Sequence, residues 1–128
     1  MSLTVPGLRV AAYCQPVDMR KSYEGLSRLV RMEMGEDVMS GSLFLFTNKR
    51  RNRAKVLYFD GTGLCVLSKR LERGQFAALW KRGGDATLSL THAELELFLH
   101  GSELVGKMAL RPPALSEKEL AFGTRMCA

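Results

Sequence analysis

Apolar positions fall into short blocks along this chain, and their spacing predicts a small α+β domain built on an antiparallel β-meander. The opening run 8–13 (LRVAAY) is short, apolar and partly β-branched, which suits a strand. Pro16 interrupts it, and Asp18 is placed to cap a helix. Met19, Tyr23, Leu26 and Val30 then recur at helical spacing and draw one apolar stripe, which Leu29 widens and Gly35 ends. This predicts an amphipathic helix packed on the sheet, with Arg20, Lys21, Arg28 and Arg31 on its other faces. Gly25 lies inside the helix, where glycine costs about 1 kcal/mol against alanine, so a close packing contact is expected there.

Three strand-like runs follow at 43–47 (LFLFT), 54–59 (AKVLYF) and 64–70 (LCVLSKR). Asp60-Gly61-Thr62-Gly63 is a strong tight-turn sequence between the last two, whereas 48–53 is a longer and almost wholly basic loop. Arg73-Gly74 and Gly83-Gly84-Asp85 then bracket an expected short helix over 75–81. The run 86–90 (ATLSL) alternates like an edge strand, and Thr91 with Glu94 forms a capping box that opens a short C-terminal helix over 92–100. Leu95, Phe98 and Leu99 are its apolar face, and Gly101 ends it. Residues 1–104 are therefore read as one domain and 105–128, broken by Pro112-Pro113, as a tail with a short helical stretch that orders on a partner.

Charge sharpens this picture. The net charge is +6, but the first 42 residues balance and the last 46 are slightly acidic. Residues 43–82 hold ten basic side chains against only Asp60 and Glu72, an excess of eight positive charges. Charge concentrated in this way attracts polyanions, with counterion release as the driving term. No apolar run approaches the length of a membrane span, and no signal-peptide pattern opens the chain, so a cytoplasmic location away from membranes is expected. Cys14, Cys65 and Cys127 are widely spaced and read as reduced thiols. His92 and His100 have no third ligand nearby, so neither a metal nor another cofactor is expected.

The candidate site is the run Lys49, Arg50, Arg51, Asn52, Arg53 and Lys55. At a hairpin tip, long cations reach phosphates without burying charge, and the arginine fork donates in pairs to phosphate oxygens. Asn48 and Asn52 add amides able to read a base edge or a phosphate. Lys69, Arg70 and Arg73 end the third strand of the meander, beside the start of the second, so the two clusters form one basic edge. Lys81 and Arg82 lie beyond it, and Glu72 is placed to pair with one of these arginines. Phe44, Phe46, Tyr58 and Phe59 are read as core rather than as a base-stacking platform.

Catalysis finds little support. Metal-dependent strand transfer needs convergent carboxylates, whereas Asp18, Asp60 and Glu72 each have a simpler role as cap, turn residue or ion-pair partner. The Asp60–Gly63 turn leads into a strand, not a helix, so it is no phosphate-binding loop, and no Ser-His-Asp arrangement stands out.

Three runs carry a resemblance to the TnpB accessory proteins of insertion-sequence family sixty-six. The first is Asp18-Met19-Arg20-Lys21 with Gly25-Leu26, which looks like that family's early helix motif. The second joins Ser40-Gly41, Leu43 to Phe46, Lys49 to Arg53 and Lys55 to Tyr58; the third joins Asp60 to Leu64 and Lys69 to Phe76. The match runs from about residue 8 to residue 104. It implies an element-encoded protein that supports transposition while a separate, larger transposase carries the strand-transfer carboxylates. Ser22-Tyr23 and Tyr58-Phe59-Asp60 depart from the family's usual glycine, phenylalanine and tryptophans without disturbing the fold.

The sequence thus points to a non-catalytic accessory protein whose basic edge holds transposon-end DNA and whose other surfaces meet the transposase. Two alternatives stand beside it: a transposase-docking module that never touches DNA, and an RNA-binding regulator. A further alternative is a metal-dependent nuclease, whose cleavage would depend on Asp60 or Glu72.

Overall fold

The computed structural model describes residues 9–80 and 86–101 of the chain. In chain order they form strand β1 (Val10–Tyr13), helix α1 (Tyr23–Met32), a single 3-10 turn (Val38–Ser40), and strands β2 (Leu43–Thr47), β3 (Arg53–Phe59) and β4 (Leu64–Arg70). Strand β5 (Thr87–Leu90) and helix α2 (His92–His100) follow. The tail read over 105–128, and Lys81 and Arg82, lie outside the described residues.

The fold is α+β, with one five-stranded sheet in the order β4-β3-β2-β1-β5. The sheet is mixed, not purely antiparallel as the sequence suggested. Strands β2, β3 and β4 pair antiparallel, but β1 lies parallel to β2 through Val10–Leu43 and Ala12–Leu45, with β5 antiparallel on its other side. The cause is α1. A crossover helix between two strands carries the chain back to its starting end, so the next strand runs parallel. Strand β1 is consequently interior, and all four of its residues are buried. The same holds for β2, whose unbroken apolar run LFLFT sends Leu43 and Leu45 to one face and Phe44 and Phe46 to the other.

Each face of the sheet has its own cover. On one side Leu26 and Val30 of α1 pack with Met34 and Val38 on Ala11, Tyr13, Phe44, Phe46 and Leu57. On the other, Leu95 and Phe98 of α2 pack with Phe76, Ala77 and Leu79 on Leu43, Leu45, Val56 and Tyr58. Phe76 and Phe98 are both fully buried and stack at 4.8 Å between ring centroids, 10° from parallel. The helix expected over 75–81 is absent from 75–80, which is irregular. Its side chains Phe76, Ala77 and Leu79 are buried without a helical backbone, and the backbone amide of Phe76 is spent on the β2–β3 loop at 2.6 Å.

Helix α1 begins later than the capping signal suggested. Its N-cap is Ser22, which makes no side-chain cap bond. The Asp18 carboxylate instead accepts from the Arg20 backbone amide at 2.9 Å and from the Arg20 guanidinium at 2.7 Å, closing a turn one step upstream. Tyr23 is 48% exposed rather than part of the buried stripe. The close contact expected at Gly25 is with the stem of Lys21, whose Cβ would lie 3.1 Å from an added methyl. At the other end of the chain the capping box is formed: Thr91 Oγ1 accepts from the Glu94 amide at 3.1 Å, and Glu94 Oε1 accepts from the Thr91 amide at 2.8 Å. Gly101 ends α2 at φ 70°, where a Cβ would fall 2.8 Å from the Leu71 methyls.

The β3–β4 turn rests on Asp60, whose Oδ1 accepts from the amides of Thr62 and Gly63 and from the Thr62 hydroxyl. Those donors, with the Cys65 thiol on Oδ2, hold the carboxyl down at about 2. A depressed carboxylate stabilises the folded state above its unfolded value of about 3.9, and that contribution disappears as pH falls toward 2. Two outcomes are expected. Asp60→Asn removes part of the acid dependence of unfolding between about pH 4 and 2, measured by circular dichroism over a pH series. Phe76→Ala empties the stack against Phe98 and lowers stability by about 3–5 kcal/mol in urea denaturation.

Candidate nucleic-acid interface

The β2–β3 loop is built by asparagines and displayed as arginines and a lysine. Asn48 Oδ1 accepts from the amides of Asn52 and Arg53 at 3.0 and 3.1 Å, and Asn48 Nδ2 donates to Asn52 Oδ1 at 2.7 Å. Such side-chain mimicry of a backbone turn is what short amides do best. Arg51 sits at φ 58°, a left-handed conformation unfavourable for a long side chain, and the surroundings hold it there. Its guanidinium donates to the Phe76 carbonyl at 3.4 Å and to Gln75 Oε1 at 3.2 Å, while its own carbonyl accepts from the Phe76 amide. Gln75 Nε2 returns to the Arg50 carbonyl at 2.9 Å, and the Leu71 amide donates to the Asn52 carbonyl at 2.8 Å. The loop is therefore laced to the segment that follows β4.

Beyond the loop, strand register brings the two basic clusters together. Arg53 of β3 lies directly opposite Arg70 of β4, and Lys55 lies opposite Ser68. Alternation puts Arg53, Lys55 and Arg70 on the α1 side of the sheet, where Leu57 joins the core. Like charges placed directly opposite each other destabilise a strand pair. Of these two arginines, Arg70 alone has a counter-ion among the described residues, Glu72 at 3.1 Å. Lys55 Nζ donates to the Lys21 carbonyl at 2.7 Å, tying β3 to the entry of α1. Lys69 alternates to the far face and donates to the Leu99 carbonyl near the C-terminus of α2, a favourable place for a cation.

Two open depressions flank this edge and share Arg53 and Met19. The first, about 440 Å³, is lined by Arg53, Lys55, Lys69, Arg70, Ser68 and Glu72 as well as Met19. The second, about 400 Å³, is lined by Asn48, Lys49, Arg50 and Asn52 on the loop side and by Val17 and Asp18 on the other. Asp18 contributes little free negative charge there. The bonds from Arg20 hold its carboxyl down at about 2, and the same arginine neutralises it.

The residues expected at the site thus divide by role. Lys49, Arg50 and Arg53 are exposed and make no side-chain bond to other described residues; Arg73 is exposed too but lines neither depression. Arg70 is exposed and shares its charge with Glu72. Arg51 and Asn52 are drawn into the loop's own architecture, and Lys55 and Lys69 are tethered to carbonyls. Phe44 and Phe46 are fully buried and Tyr58 is 6% exposed, so they are core. Sequence reasoning missed the wall formed by Val17, Asp18 and Met19. Its only signal is the Asp18–Lys21 motif, which suggests a helix start rather than a surface facing the loop.

Among the described residues no three His, Cys, Asp or Glu side chains converge as a metal site, and no helix is long and apolar enough to cross a membrane. Cys14 is buried and Cys65 is half-buried, its thiol donating to Asp60.

The lacing separates two neighbouring arginines experimentally. Arg51→Ala leaves the Gln75 and Phe76 acceptors without their donor and lowers stability by about 1–2 kcal/mol in urea denaturation. Arg50→Ala, whose side chain bonds to no other described residue, stays within about 0.5 kcal/mol of the parent.

Two proteins of Sinorhizobium fredii are similar to this chain in sequence. The uncharacterized protein y4jC is 35% identical over 95 residues, covering 74% of this chain and 80% of its own. The uncharacterized protein y4hO is 31% identical over 84 residues, covering 66% and 71%. No solved structure matches the chain. The family model for IS66 Orf2-like proteins matches residues 8–108, a span that includes every described element and both basic clusters. On that match the chain belongs to the IS66 Orf2-like family of transposition-associated proteins.

Proposed function

We propose that this protein is a non-catalytic accessory factor of transposition that holds DNA on the basic edge formed by the β2–β3 loop and the β3–β4 strand ends, while the separate transposase performs the chemistry. The observation that carries this reading is the pairing of Arg53 with Arg70 across the strands, beside Lys49 and Arg50 at the loop tip. Four cations are gathered on a rigid frame, and among the described residues Glu72 and an already neutralised Asp18 are the only carboxylates lining the two depressions. Such crowding costs folding energy that a bound phosphate backbone recovers. Both depressions are open rather than enclosed, which suits contact with an extended polyanion.

A second reading, docking to the transposase without DNA, draws on β4. This is an edge strand of the sheet, and its Leu64, Cys65, Val66 and Leu67 are only half-buried among the described residues. A complex with the transposase that survives both high salt and nuclease treatment would favour it.

Binding of the full chain to labelled duplex across a salt series tests the DNA reading. The parent protein is expected to show a steep loss of affinity with salt. The Arg50→Ala/Arg53→Ala/Arg70→Ala variant binds more weakly with a flatter slope, reduced by roughly one for each phosphate that is no longer neutralised. Equal affinity and slope in parent and variant contradict it.

A further inference from the structure

Resting on the reading of this edge as a DNA surface, we infer that it grips the sugar-phosphate backbone of duplex DNA and does not read base sequence. Recognition of a base by an amide needs its oxygen and its nitrogen free together, so that one accepts while the other donates. The amides beside the edge are not in that state. Both atoms of Gln75 are spent, on Arg51 and on the Arg50 carbonyl. The Asn48 oxygen takes two backbone amides, and its nitrogen is given to the Asn52 oxygen. Asn52 keeps only a donor. Arg51 has its guanidinium committed to Gln75 and Phe76 and is not free to fork onto a guanine.

What remains among the described residues to meet the ligand is Lys49, Arg50 and Arg53, whose exposed side chains no neighbour bonds or orients toward a base edge, and Arg70, which shares its guanidinium with Glu72; such cations recognise phosphate by charge. The edge also lacks the means to prefer an unpaired strand. Single-strand binders stack bases on exposed aromatic rings, and among the described residues no aromatic side chain lines either depression. Phe44 and Phe46, which precede the loop, are fully buried. A duplex, with phosphates on two strands and the higher charge density, is the better ligand for such a surface.

The experiment compares three probes of one length at several salt concentrations, using the full chain: a duplex carrying the element's own end, a scrambled duplex of the same composition, and a single strand. The two duplexes are expected to bind within about threefold of each other at every salt concentration, with the single strand several-fold weaker. A preference for the element end beyond that range, or a single strand bound as tightly as the duplexes, overturns this inference alone and leaves the edge as a DNA surface. Failure to bind any of the three overturns the inference together with the reading beneath it.

Discussion

The bond pair between Arg51 and the Gln75-Phe76 segment is the constraint on which the rest of this site depends. A basic loop of five residues left to itself would be mobile and would lose entropy on meeting a ligand. Here the loop's carbonyls receive the amides of Leu71 and Phe76, and the Arg51 guanidinium closes the exchange in the other direction. The segment so captured is anchored in turn, because the Phe76 ring stacks on Phe98 inside the core. A surface loop is thereby fixed to the buried face of α2 through a single residue. The left-handed backbone at Arg51 is the strain that this arrangement tolerates.

The Arg53–Arg70 pair shows a local rule broken where function is proposed. Strand pairing normally sets opposite charges or apolar groups across from one another, and here it sets two arginines at directly opposite positions. Nothing in the fold requires them, since the core of β3 and β4 is made lower down by Ala54, Val56 and Leu57 with Leu67 and Val66. The asparagines of the loop work in the opposite sense. They contribute fold rather than recognition, and they do so by consuming the polar atoms that sequence-specific contact would use.

Much of this was legible in the sequence. The strands over 43–47 and 64–70, the Asp60 turn and the capping box of Thr91 and Glu94 rest on local rules, and local rules act within a few residues. The parallel placement of β1 was not legible, because VAAY pairs with strands far away in sequence and carries no mark of direction. The irregular path of 75–80 was missed for the same reason: its order comes from Arg51 and Phe98, not from its own periodicity. At the site, residue type correctly singled out the basic run but gave all its members one role. Only geometry distinguishes Arg50, which faces solvent, from Arg51, which is structural.

The most direct test of the central claim is to map the contact residue by residue, by following backbone and arginine side-chain NMR signals while duplex DNA is added at low salt. The account predicts that shifts concentrate in Lys49, Arg50, Arg53 and Arg70, with Asp18 and Met19 on the facing wall moving with them. Shifts centred on α2 or β5, with Arg53 and Arg70 unmoved, would contradict it.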